Sequence, residues 1–509
     1  MSGAIGKLAG NTPAGSTRDL GASSAASSGS DRGGKPWLWF LGLAIIFLGI
    51  ESLVPLGSAI KLGADEDYEL SRTILFVKGF HFYTDVWMDQ PLLFTFILGH
   101  IAHFTGLSVL CMRLVPVGLA LLLLASLFRL SLVVANLRTA IMAVLLVIAA
   151  PGFLELASSC MIEIPVLSFV TTSLAVLSYA TRKRLILFEI GAGLVFSLAL
   201  QMKLIALPYL SLTVLLLWLQ HRLTLKELAL SGLVVGCTAG LGFLALSVLT
   251  GAPLALQLEQ NWSSHFAPAT SFEYGRPSDH AFDPMLLVRN WDVVVPAFAC
   301  AGALFARCLS RSLLLFAAGW LVLTLAVVST HRPWWACYYL HNAVPLCFCA
   351  AVAFDAALRW SATQASRIFL VAAYLLCAAS WMAMRSYFEI VSMRQSPRVF
   401  NSLLLKEIQK YKPFTEYLFT SEEVYTFHAQ IPPPPHLAEL SLKRLWSGDM
   451  TNAKIAAELE EVKPELILIG NQTIELPYQD LLEREYRMVY QDGEHELFVL
   501  NTVIKEAGR

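Results

Sequence analysis

Charge is what this chain has least of. Asp, Glu, Lys and Arg make up 15% of its 509 residues, where a soluble protein carries about 25%. That shortage excludes a water-soluble globule for most of the length. With 56% hydrophobic residues and a mean hydropathy of +0.59, the chain reads as a polytopic membrane protein. An excess of either sign is missing too. The formal net charge is −1, so nothing suggests a nucleic-acid partner. Cysteine clusters are lacking: eight of the nine lie in apolar stretches or at their ends, and none follows Cys377. They read as small buried apolar residues, not as a disulfide framework. There is no His-Glu-x-x-His, no Cys/His metal spacing, no Gly-x-Ser-x-Gly and no Walker sequence. Residues 1–36, rich in Gly, Ser and Ala, are expected to be a disordered cytoplasmic tail. They hold no short hydrophobic region with a cleavage site, so Trp37–Leu56 is expected to stay as a signal-anchor helix.

What is present is a succession of apolar runs. A helix needs about 20 apolar residues to cross a bilayer. Eleven runs are read as spans, near 37–56, 112–130, 139–157, 164–181, 186–203, 204–220, 228–249, 292–307, 313–330, 343–359 and 367–384. Residues 92–105 are shorter, hold His100 and His103, and read as an interfacial helix. The loops after even-numbered spans carry Arg129/Arg138, Arg182-Lys183-Arg184, His221-Arg222/Lys226, Arg307/Arg311 and Arg359/Arg367. The positive-inside rule makes these loops and the N-terminus cytoplasmic, and puts the acidic and aromatic loops on the other face. Residues 37–384 form the membrane domain in this reading. From 385 to 509 charge becomes dense. A helical run at Ala453–Val462 and strand-like runs at Leu466–Ile469 and Glu494–Leu500 predict a small extracytoplasmic α/β domain. Pro432–Pro435 is expected to be a stiff spacer, leaving this domain dispensable for chemistry.

The densest chemistry lies in the first external loop, Gly63–Pro91. Asp65, Glu66, Asp67 and Glu69 crowd its start, followed by Tyr68, Ser71-Arg72, Gly79-Phe80 and Asp89-Gln90-Pro91. Acids beside a membrane are costly unless solvated, paired or used. Further polar residues fall at the same ends of spans: Arg113, Glu163, Lys203, and the loop His331-Arg332-Pro333-Trp334-Trp335 with Tyr338 and Tyr339. A long loop, Gly251–Trp291, carries His265, Phe272-Glu273-Tyr274 and Asp279-His280 and suits a lid.

In their order along this topology, these motifs resemble the GT-C glycosyltransferases, in the branch of protein O-mannosyltransferases and lipid A aminoarabinose transferases. There an Asp-Glu pair follows the first span, an acid- or His-Pro-Pro motif closes the loop, and a His-x-Pro-aromatic-aromatic loop comes late. Here the second proline after Asp89 is a leucine. The stretches Tyr417–Phe427 and Pro432–Leu445 resemble soluble tails of some bacterial members.

The resemblance implies an α-helical GT-C membrane enzyme moving a sugar from a polyprenyl-phosphate donor, with inversion, on the extracytoplasmic face of a bacterial inner membrane. Asp65 is the expected general base and Glu66 its partner. Lys203, His331, Arg332 and Arg113 are expected at the donor phosphate, though Arg113 could instead pair with a loop acid. Tyr68, Asp89, Glu163, Tyr338 and Tyr339 are expected around the substrate. A divalent cation, Mg2+ or Mn2+, could bridge Asp65 and Glu163. The acceptor is open: protein, glycan or lipid. The competing class is a transporter or flippase of a lipid-linked sugar, which would place ionisable groups at mid-membrane within repeats. Here they cluster at one set of span ends.

Overall fold

All eleven apolar runs are helical in the computed structural model, which describes residues 35–508 apart from 61, 64, 267–268, 271–274, 307–309, 363, 396–401 and 471–477. The expected tail up to 34, Phe272-Glu273-Tyr274 and Arg307 lie outside the described residues. Among the described residues, seven helices are long and apolar enough to cross a bilayer: Val109–Val134, Arg182–Met202, Leu204–His221, Leu225–Leu249, Arg311–Val328, Ala336–Ser361 and Ala365–Gln395. Pro36–Glu51, Leu93–Thr105, Leu137–Ile148, Glu163–Leu177 and Trp291–Cys300 are apolar but shorter. Helices dominate because a backbone in lipid must satisfy its own hydrogen bonds. The last helix runs through the expected domain boundary at 384/385 to Gln395.

One expected span is interrupted, and the junction between two others opens beside the site. The run 139–157 splits at Pro151-Gly152 into helices Leu137–Ile148 and Phe153–Ser158, since proline cannot continue the helical hydrogen bonds. The junction at 203 is also irregular. Lys203 is extended (φ −162°, ψ 132°) between helix Leu185–Met202 and the 3-10 turn Leu204–Tyr209, which points it sideways from both.

The acid-rich loop is itself largely a helix, Glu66–Lys78, with Asp65 at its N-cap position. Acids in the first turn face the positive end of the helix dipole. Gly79, at φ 88°, ends it in the left-handed conformation that glycine adopts without strain. A second glycine sets its approach: a Cβ on Gly99 would lie 2.1 Å from the Phe76 ring. Only a bare Cα lets helix Leu93–Thr105 pack this close.

The C-terminal unit holds a four-stranded sheet: β1 (Leu418–Thr420), β2 (Leu466–Gly470), β3 (Tyr486–Gln491) and β4 (His495–Leu500). Its order is β1-β2-β4-β3, with β1 parallel to β2 and the other pairs antiparallel. β2 is buried along its whole length, as its unbroken apolar run requires. The Pro432–Pro435 stretch is not a free spacer. Pro432, Pro433 and Pro434 are buried, and the Pro432 carbonyl accepts from the Leu418 N–H at 3.0 Å. The chain then returns to the first loop, where Ala438 packs in one apolar cluster with Leu75, Tyr83 and Leu92.

Candidate active site

A cavity of about 460 Å³ opens where the first loop, the Glu163 and Lys203 junctions, the Trp335–Tyr338 turn and the C-terminal unit meet. Asp65, Asp67, Tyr68, Glu69, Arg72, Asp89, Glu163, Lys203, Tyr338, Glu439 and Lys443 all line it. Of these, Asp65, Tyr68, Asp89, Glu163, Lys203 and Tyr338 are expected from sequence.

Asp65 has an exposed side chain facing this space. The protein walls around it withhold water from its charge, and Glu163 adds repulsion. Lys203 only partly offsets both, so its carboxyl is pushed up to about 6. That is where a general base working near neutrality is effective. Glu163 holds Lys203 in place, with Nζ 2.9 Å from Oε1, and the same ammonium lies 4.5 Å from the Tyr338 ring centre.

Opposite lies a charge cluster that joins two distant parts of the chain. Arg72 meets Glu69 at 2.6 Å, Asp89 at 3.3 Å and Glu439 of the C-terminal unit. Lys443 reaches the other oxygen of Asp89 at 3.0 Å and donates to Nε2 of His265, also at 3.0 Å. Burial works to raise Asp89, but Lys443 and Arg72 outweigh it and hold the carboxyl well below the usual range. Glu439 goes the other way: burial and the Asp89 charge push it up to about 8 against the pull of Arg72. Burial and Lys443 lower His265 to about 3, so it is a neutral ring, its Nδ1–H directed to the Asn261 carbonyl at 2.9 Å.

A second cavity, about 270 Å³, abuts the first and shares Gln90, Lys203 and Tyr338 with it. Its other walls are Leu204, Ile205, Leu207, Pro208, Asn261, His265, Val327 and His331. Burial and Lys443 depress His331 to about 4. This space therefore has one cation, two neutral histidines and mostly apolar sides, and its Leu207 side chain is 55% exposed.

Four expected site residues stand elsewhere. Glu66 does not partner Asp65. Its carboxylate is buried against Arg113, with Nε–Oε1 and Nη2–Oε2 both 2.8 Å, and accepts from the N–H groups of Leu62 and Cys160. Arg113 is used up by that fork and by the carbonyls of Leu56, Ser58 and Ile60. This is the pairing alternative, with every nitrogen of the guanidinium engaged. Arg332 is exposed and folds back on the carbonyls of Ser329 and His331. Tyr339, one residue past Tyr338 on the start of a helix, is buried and lines neither cavity. Neighbouring side chains on a helix point in different directions.

Among the described residues no group of three His, Cys, Asp or Glu side chains is placed to hold a metal. One Glu163 oxygen is taken by Lys203. The other, Oε2, is buried without a hydrogen-bond partner among the described residues, and it and the Asp65 carboxyl are the groups that would hold an Mg2+ or Mn2+ ion, whose charge would act on a donor phosphate.

Glu439 and Lys443 are not among the site residues expected from sequence, although both lie in Pro432–Leu445, a stretch that resembles soluble tails in the same transferase group. The available signal is the three charges, Glu439, Lys443 and Arg444, within the otherwise mostly apolar Leu437–Leu445.

No family model and no curated protein matches this chain. Solved structures do. ArnT from Cupriavidus metallidurans bound to undecaprenyl phosphate is 14% identical with a TM-score of 0.63, over 92% of this chain and 98% of that one. The archaeal oligosaccharyltransferase AglB from Archaeoglobus fulgidus, in complex with an inhibitory peptide and a dolichol-phosphate, is 13% identical with a TM-score of 0.56, over 85% and 69%. The chain has the GT-C fold that its motif order implies, and is an integral multi-pass membrane protein.

Proposed function

We propose that this protein is a membrane glycosyltransferase that takes a sugar from a polyprenyl-phosphate donor and places it on an acceptor hydroxyl. The observation that carries the reading is the pair of cavities meeting at Lys203, one acid-lined and one apolar. The two structural relatives, solved with undecaprenyl phosphate and with dolichol-phosphate, support the donor class. In this reading the prenyl chain leaves past Leu207 toward the lipid, the phosphate lies beside Lys203 and His331, and the sugar enters the larger cavity.

The chemistry needs a base for the acceptor hydroxyl and positive charge for the departing phosphate. Asp65, ionised above about pH 6, removes the hydroxyl proton as oxygen attacks the anomeric carbon. The carbon–phosphate-oxygen bond breaks on the opposite side, inverting the centre. Lys203, prepositioned by Glu163, stabilises the charge that develops on the leaving phosphate. Tyr68 and Asp89 contact sugar. In this reading the cavity faces the extracytoplasmic side, as the distribution of basic loops supports. A transporter would gather its ionisable groups within mid-membrane broken helices, whereas Asp65, Asp89 and Lys443 belong to loops and to the C-terminal unit.

The test is transfer of labelled sugar from polyprenyl phosphate by reconstituted protein, wild type against Asp65→Asn. General-base loss lowers the rate roughly 10²–10⁴-fold, with donor binding unchanged. Full turnover in Asp65→Asn would remove Asp65 from the role, and movement of the labelled lipid between leaflets without transfer would replace the enzyme by a flippase.

A further inference from the structure

Resting on that reading, we infer that Lys443, carried by the C-terminal unit, is a second ammonium of the donor-phosphate site, acting with Lys203 and the Tyr338 hydroxyl. Three observations converge. First, Lys443 is within the wall of the reaction cavity, brought there with Glu439, Ser441 and Leu442 of the same C-terminal segment. An ammonium has three donors. Two of them are directed to Asp89 and the neutral His265, which leaves the third for a ligand.

Second, Tyr338 is 1% exposed, and its hydroxyl has no hydrogen-bond partner among the described residues. A buried phenol without a partner is unfavourable unless something else completes it. Its ring lies beside Lys203, and both Lys203 and Lys443 act on it electrostatically. An oxyanion between these three groups would satisfy all of them.

Third, Asp89 does not consume Lys443. Arg72 also contacts Asp89, and within the same cluster Glu439 is raised to about 8, so it carries a proton at neutrality. A phosphate that gains charge as the sugar leaves then meets two ammoniums rather than one. The C-terminal unit is in this account part of the donor site, and donor loading depends on its docking against the first loop.

The experiment measures binding of polyprenyl phosphate, without sugar, to the full-length protein in nanodiscs. Lys443→Met removes the ammonium but strands Asp89, so folding is kept testable with the double variant Asp89→Asn/Lys443→Met, in which the stranded charge is gone. Both variants should bind about tenfold or more weakly than their references, wild type for Lys443→Met and Asp89→Asn for the double variant, while Lys443→Arg should stay near wild type. A folded double variant with the affinity of Asp89→Asn would overturn the inference and make Lys443 a structural strut. Wild-type protein that fails to bind polyprenyl phosphate at all would overturn the donor reading as well, so the two failures are told apart.

Discussion

The two cavities share Gln90, Lys203 and Tyr338 and little else in character. The larger has six carboxylates in its walls, from Asp65, Asp67, Glu69, Asp89, Glu163 and Glu439, against three cations. The smaller has no acid among the described residues and is walled mainly by Leu204, Ile205, Leu207, Pro208 and Val327. The difference follows from which parts of the chain build them. Loops and the C-terminal unit can afford ionised groups because they meet water and each other. The smaller space is made where a broken span meets the end of Arg311–Val328, beside lipid, where charge is costly. A ligand with a charged, polyhydroxylated head and a long apolar tail fits across such a boundary, with the bond to be broken near the shared wall.

The comparison would be sharpened most by pH. The acid cavity should govern rate and the apolar cavity should not. With Asp65 held at about 6, the ionised base is lost as pH falls through that value, so turnover should be about 10²-fold lower at pH 4 than on the plateau above pH 7, by about tenfold per unit. Binding of the polyprenyl-phosphate sugar donor, a phosphodiester that keeps one charge throughout, should change far less than the rate between pH 4 and 7, because His331 titrates only near 4 and His265 near 3. Rate and binding profiles that fall together would break the division between the two spaces.

Arg113→Met asks whether the buried acid next to Asp65 belongs to the site or to its frame. Stranding Glu66 in a fully buried position should destabilise the protein by about 3–5 kcal/mol, read as a fall in thermal midpoint and in folded yield. A stable Arg113→Met protein with selectively weakened donor binding would return Arg113 to the phosphate.

Leu204→Gln probes the apolar space alone. A partly buried leucine contributes about 1–1.5 kcal/mol of apolar contact, so long-chain polyprenyl phosphate should bind roughly tenfold more weakly, while a short-chain phosphate binds as before. Equal losses for both chain lengths would mean that the tail does not lie there.

The smallest effect is expected for Arg332→Ala. An exposed side chain bonded to its own neighbourhood should change stability by no more than about 0.5 kcal/mol and binding by less than about twofold. A tenfold loss of donor binding would show that Arg332 swings into the site when the donor is present.

The helices, the order of the motifs and the acid-rich first loop were all legible in the sequence, because each is written in local spacing: apolar runs of span length, glycine at a helix end, charge crowded beside an apolar segment. β2 and β4 were legible for the same reason, as the strand-like runs Leu466–Ile469 and Glu494–Leu500. The partners of individual charges were not. Asp65 and Glu66 are adjacent and chemically alike, yet one faces the cavity and the other is locked onto Arg113, because the first turn of a helix sends successive side chains in different directions. Tyr338 and Tyr339 part in the same way. The tertiary structure alone brings Glu439 to Arg72 and Lys443 to Asp89, 367 and 354 residues apart along the chain. Long-range ion pairing depends on where two segments end up in space, and no local pattern of residues encodes that meeting.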